Sequence, residues 1–227
     1  MSANYTLVLG TKNFSSWSLR PWLAMKMAGI QFEETVIRLR NPETKKHIAK
    51  HSPSGKVPVL HIEEGGKRRT MWDTLAICEY LAERHADIAF WPKDFLRREE
   101  ARCIVAEMHS GFENLRRTMP MDLAAHHPAP EIDEALGTEI DRIKFIWISA
   151  LERFGQDGGF LFGEFSLADS FYAPVVTRFE TYSIELPAIA REYAQRILSL
   201  TPMRDWKAAA IKELSESATV SEPEDSD

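Results

Sequence analysis

VPVLHIEEGGKRRTMWDTLAICEYLAER, residues 57–84, decides how the fold is read. Val57 to Ile62 is a short apolar run of strand formers, interrupted near its start by Pro58. Gly65-Gly66 supplies the two-residue turn of a hairpin, and Arg68 to Trp72 returns as its second strand. From Asp73 to Arg84 the period changes, with Leu75, Cys78, Leu81 and Ala82 on one helical face. Upstream, Tyr5 to Leu9 reads as a strand closed by Gly10, and Ser15 to Ala28 as a helix stopped by Gly29. Phe32 to Leu39 reads as a second strand, and Pro42 to His51 as a polar helix. The order is β-α-β-α-β-β-α. A strand-helix-strand opening requires a parallel pair, and the hairpin an antiparallel edge. These residues therefore predict an α/β N-terminal thioredoxin-like domain, a mixed four-stranded sheet with three helices.

Everything beyond is helical in pattern, so the expected second unit is an all-α C-terminal domain. Ala101, Val105, Met108, Phe112 and Leu115 keep helix spacing in a first long helix. Leu136, Ile140, Ile143, Trp147, Ala150, Leu151 and Phe154 do the same, with Pro120, Pro128 and Pro130 between the two runs. Ser166-Leu167-Ala168-Asp169 has the spacing of a capping box. Pro187 to Leu200 and Pro202 to Leu214 read as the last helices. The expected division is 1–84, a linker at 85–94, a helical domain at 95–214, and an acidic disordered tail at 215–227.

The 227 residues carry a formal net charge of −6, which gives no electrostatic reason to expect nucleic acid or an anionic membrane as partner. No apolar run approaches the ~18 residues of a membrane span. The polar opening Met1 to Tyr5 offers no secretory signal, so a cytoplasmic location is expected. Cys78 and Cys103 are expected as buried thiols in a reducing compartment. No His/Cys spacing of metal type is present, and His126-His127 lies in a proline-flanked loop, so no metal is expected.

Three stretches carry possible chemistry. Ser15-Ser16-Trp17-Ser18-Leu19-Arg20 opens the first helix, where free amides and the positive end of the helix dipole gather. Serine hydroxyls there either cap the helix or donate to an anion. Lys56-Val57-Pro58 places a proline at the head of a strand, either as an ordinary trans edge residue or as a cis turn. Asp73-Thr74 opens the third helix, as a cap or as a holder for a small zwitterion. In the second case the carboxylate takes an ammonium, and the hydroxyl and amides take a carboxylate. His109 sits beside an apolar stripe and reads as a partly buried structural histidine.

In this order the three stretches resemble the glutathione S-transferase family, over roughly Tyr5 to Leu214. Ser15 to Arg20 looks like the zeta-class helix start, Lys56-Val57-Pro58 like the family's cis-proline turn, and Asp73-Thr74 like its γ-glutamyl-binding pair. The resemblance implies glutathione as co-substrate, with Ser15 donating to its sulfur and Ser16 or Ser18 as register alternatives. It implies that Val57 pairs its backbone with the cysteinyl unit, that Asp73 and Thr74 hold the γ-glutamyl group, and that Lys56 takes the glycine carboxylate. It also implies a small electrophilic second substrate, with Trp17, Met108 and Phe112 as walls of its pocket, and a homodimer. Trp17 stands where zeta members carry cysteine; it narrows the pocket and removes a thiol, which argues against zeta-type isomerisation. The other readings are a glutathione-binding module without turnover, a glutathione-dependent isomerase of zeta type, and, last, a glutathione-dependent reductase or peroxidase. The latter usually needs a cysteine at the helix start, where this chain has none.

Overall fold

The computed structural model describes residues 3–219. Its first part is β1 (Asn4–Gly10), α1 (Ser16–Met27), β2 (Glu33–Ile37), α2 (Thr44–Ala49), β3 (Val59–Glu64), β4 (Lys67–Trp72) and α3 (Thr74–Arg84). The sheet order is β2-β1-β3-β4. β1 runs parallel to β2 (Val8 beside Thr35) and antiparallel to β3 (Val8 beside Val59), and the β3–β4 hairpin closes through Gly65 and Gly66, both at positive φ. This is the mixed thioredoxin-like sheet that residues 57–84 predict. The period of two in β1 explains the layering. Tyr5, Leu7 and Leu9 enter the main core with Leu19, Leu23, Ile77 and Leu81, while Val8 joins Ile37, Ile48 and Val59 beneath α2.

The second part is helical: α4 (Phe95–Ser110), α5 (Glu113–Thr118), α6 (Glu134–Phe154), α7 (Leu167–Thr181), α8 (Ala188–Ser199) and α9 (Thr201–Thr219), with a 3-10 turn at Gly155–Asp157. α7 is buried along nearly its whole length and packs on α1, α4 and α8. Its start is the expected capping box. The Asp169 carboxylate accepts from the Ser166 amide (2.8 Å) and hydroxyl (3.1 Å) and from the Leu161 amide (3.1 Å).

Three expectations need correction. The first long helix does not continue through Leu115. It stops at Ser110, and Phe112 takes φ 62° before α5 begins. α9 runs to Thr219, past the Leu214 end that the composition suggested and into the stretch expected to be a disordered tail. The rest of that tail, 220–227, lies outside the described residues. Cys103 is exposed on α4, because its helical position faces away from the stripe that buries Ala101 and Val105; Cys78 is buried, as expected.

Several contacts tie the first helix and the loop before it to the helical part. Arg20 Nε donates to the Phe171 carbonyl (3.1 Å), and Arg178 to Ser16 Oγ (3.1 Å). The Trp206 indole donates to the Lys12 carbonyl (3.0 Å), and the Lys12 amide to Glu213 (2.8 Å). Among the described residues no helix is long and apolar enough to cross a membrane.

Candidate active site

A cleft of about 540 Å³ opens where the α3 and α1 N-termini face α4. It is lined by Trp17, Ser54, Lys56, Val57, Pro58, Trp72, Asp73, Thr74 and His109. Five of the six proposed glutathione-site and sulfur-site residues thus share one wall: Lys56, Val57, Pro58, Asp73 and Thr74. The Val57–Pro58 peptide is cis, as the family resemblance implies. It sits where the chain turns into β3, with Lys56 exposed and Pro58 buried.

Asp73 is the N-cap of α3. Its Oδ1 accepts from the Leu75 (2.8 Å) and Ala76 (3.2 Å) amides. Its backbone stands at φ 74°, ψ 134°, a region that costs a non-glycine residue about 1–3 kcal/mol and recurs at functional sites. Oδ2 faces His109 Nε2 at 3.3 Å. Thr74 is buried and donates its hydroxyl to the Trp17 carbonyl (3.0 Å), which fastens the start of α3 to the start of α1.

At α1 the three serines are buried and engaged. Ser15 is the N-cap. Its hydroxyl donates to Ser18 Oγ (2.7 Å) and accepts weakly from the Ser18 amide (3.4 Å). Ser18 Oγ also accepts from the Gly10 amide (3.1 Å), and Ser16 Oγ accepts from Arg178. Ser15 is therefore next to the cleft along the chain but does not line it. Trp17 does line it. Its indole lies 4.4 Å from the Arg20 guanidinium and 4.5 Å from that of Arg116, and it meets the His109 ring edge-on at 5.3 Å.

Met108 and Phe112, expected as pocket walls, are instead in the core. One position along α4 turns His109, not Met108, to the cleft, and the break after Ser110 carries Phe112 away. His109 is partly buried, as expected, and it is also a wall of the cleft rather than a purely structural histidine. Burial pushes its imidazole below the ordinary value. Arg20 and Arg116 act in the same direction, and Asp73 pulls the other way. Arg20 is fully buried; burial and the like charges of Arg116 and Arg178 lower its pKa, and both its terminal nitrogens lack a hydrogen-bond partner. Sequence spacing gives no sign of this cationic group behind Trp17, because α1, α5 and α7 bring it together from distant stretches. Among the described residues there is no cluster of three or more metal-ligating side chains.

A thioredoxin-like sheet followed by an all-helical part, with a cis-proline turn facing a capped helix start, is the fold of the glutathione transferases. Residues 14–84 match the family model described as glutathione S-transferase, N-terminal domain. A "Probable maleylacetoacetate isomerase" of Caenorhabditis elegans is 32% identical over 108 residues, which is 48% of each protein, so the match spans about half of that relative's length. The maleylacetoacetate isomerase of Pseudomonas aeruginosa is 25% identical over 183 residues, 78% of this chain and 83% of that protein. Among solved structures, a glutathione transferase homologue from Burkholderia with bound glutathione superposes at TM-score 0.67 and 20% identity, over 92% of this chain and 98% of that one. The maleylacetoacetate isomerase of Anaeromyxobacter dehalogenans, with bound dicarboxyethyl glutathione and citrate, superposes at 0.65 and 23% identity, over 91% of each.

Proposed function

We propose that the protein is a glutathione transferase that adds the glutathione thiolate to a small electrophile. The observation that carries this reading is the single cleft wall formed by Lys56, Val57, Pro58, Asp73 and Thr74 beside the α1 N-terminus. An Asp73 carboxylate suits the γ-glutamyl ammonium, and the first amides of α3 suit its carboxylate. The exposed Lys56 ammonium suits the glycine carboxylate, and the Val57 main chain the cysteinyl unit.

The sulfur then lies toward Ser15. A thiol near pKa 8.5 is only a few per cent ionised at neutral pH. Lowering it by ~2 units needs about 2.7 kcal/mol of preference for the anion. A hydrogen bond to a charged group contributes about 1.5–3 kcal/mol and a helix N-terminus about 0.3–1. One serine at this place is sufficient in magnitude, with no metal or separate base. The Ser15–Ser18 pair can provide that donor without losing its own bond. If Ser15 turns its proton to the sulfur, Ser18, still accepting from the Gly10 amide, donates to Ser15 in turn.

Titration calorimetry tests the reading. Glutathione is expected to bind between micromolar and millimolar, about −4 to −8 kcal/mol. Absence of heat at ~10 mM would remove the enzyme reading and leave a scaffold. The electrophile then follows from a panel assayed with glutathione.

A second reading, glutathione-dependent isomerisation, is favoured by the two curated relatives named as isomerases. Against it stands Trp17, held between two guanidiniums where the zeta class carries a thiol. Turnover of maleylacetoacetate without net consumption of glutathione decides for isomerisation. The reading also includes a homodimer and a cytoplasmic location.

A further inference from the structure

His109 is the one imidazole of the cleft, and it touches the residue on which amine binding rests. Its Nε2 stands 3.3 Å from Asp73 Oδ2, the oxygen not used to cap α3. The ring is fixed by Trp17 at 5.3 Å and Phe171 at 6.3 Å. Its Nδ1 is buried without a hydrogen-bond partner. In the neutral ring, an Nε2–H would face Asp73 Oδ2 and Nδ1 would keep a lone pair. Protonation would leave a buried N–H donor unsatisfied while adding a charge near the Arg20 and Arg116 guanidiniums.

We infer that His109 is the positioning residue of Asp73 and makes the amine subsite pH-dependent. Neutral His109 orients Oδ2 while Asp73 keeps its full negative charge for a ligand ammonium. Protonated His109 pairs with Asp73 and competes with that ammonium. This rests on the proposed glutathione reading, and it names the regulation of that same site. The charged and aromatic groups facing His109 are Asp73 at the α3 start, Trp17 and Arg20 on α1, Arg116 on α5 and Phe171 on α7. Asp73 is the only carboxylate among them, so the competition has one site.

The sign follows from linkage. A bound ammonium on Asp73 disfavours the imidazolium, so binding lowers the His109 pKa further, and acidification weakens binding. S-methylglutathione is the suitable probe, because it carries the amine and lacks an ionisable thiol. Calorimetry from about pH 8 to about pH 5 is expected to show affinity falling severalfold, up to about tenfold per pH unit below the His109 pKa. His109→Gln, which retains a donor to Asp73 and cannot titrate, is expected to flatten the profile, with its fold checked by thermal melting. The His109 pKa, followed by NMR in the unchanged protein, is expected to fall when S-methylglutathione is added. A wild-type profile as flat as that of His109→Gln, or a His109 pKa unmoved by the ligand, overturns the inference and leaves glutathione binding intact. No binding of S-methylglutathione even at about pH 8 overturns the glutathione reading, and the inference with it.

Discussion

At the scale of single residues, two readings of the Ser15 hydroxyl, thiolate donor and helix cap, are separable by experiment. If it stabilises the thiolate, Ser15→Ala raises the pKa of the bound thiol by about 1–2 units and lowers the conjugation rate roughly 10- to 100-fold at neutral pH. Glutathione affinity below that pKa is expected to change little, because in the proposed reading it rests on Asp73, Thr74 and Val57. Ser18→Ala is expected to raise the thiol pKa by less. It also costs about 1–3 kcal/mol of stability, since the Gly10 amide loses its acceptor. Pure capping predicts about 1 kcal/mol of lost stability and an unmoved thiol for Ser15→Ala. Thiolate absorbance of the bound complex against pH separates these outcomes, and a shift confined to Ser16→Ala would move the donor one residue along. Lys56, Val57, Pro58, Asp73 and Thr74 were legible in the sequence because each pair is contiguous and sits where a strand or helix begins. His109, Arg20 and Arg116 were not. Their meeting around Trp17 depends on how the helical part docks, and spacing along one helix carries no record of it.

At the scale of elements, the start of α7 is the test case. Asp169 is fully buried, and burial pushes its carboxyl up to about 6, against the pull of its bonds from Leu161 and Ser166. A carboxyl whose folded pKa lies above its ordinary value of 3.8 stabilises the fold while protonated. That contribution is lost as pH rises from about 4 to about 6, a change of roughly 3 kcal/mol. Urea unfolding at about pH 4.5 and about pH 7 should show this in the wild-type difference, and Asp169→Asn should shrink it. Equal differences in both proteins would mean that Asp169 does not titrate in this window. The capping box itself was readable from Ser166 and Asp169 because it is local. The break between α4 and α5 was not, since neither Ser110 nor Gly111 forbids a helix as proline does. Packing decides it: the break drops Phe112 and Leu115 into the core. Likewise, the composition of residues 215–219 reads as loose tail, yet α9 continues into them from residues anchored on Lys12, in the loop between β1 and α1.

At the scale of the whole molecule, the proposed homodimer would cover exposed apolar side chains. Trp72, Phe95, Leu96 and Phe145 are large apolar residues left between 47% and 69% exposed. Two-fold pairing is the commonest way to cover such surface. Light scattering at micromolar protein is expected to give twice the chain mass, and the monomer mass would refute the dimer. The mixed character of the sheet was legible from the hairpin and the β-α-β opening, while the pairing of β1 with β3 that joins them was not. The contacts that join the two parts, Arg20 to Phe171, Arg178 to Ser16 and Trp206 to Lys12, were not either, because each links residues more than a hundred positions apart. The last of these ties has a bearing on biosynthesis. Lys12, just before the start of α1, takes partners from α9 that lie 194 and 201 residues later in the chain. A ribosome adding about 5–20 residues per second needs about 10–40 s to cover that distance. Once Trp72 has been added, the nascent sheet is fully translated for the rest of that interval, while the loop leading into Ser15 still waits for the helix that secures it.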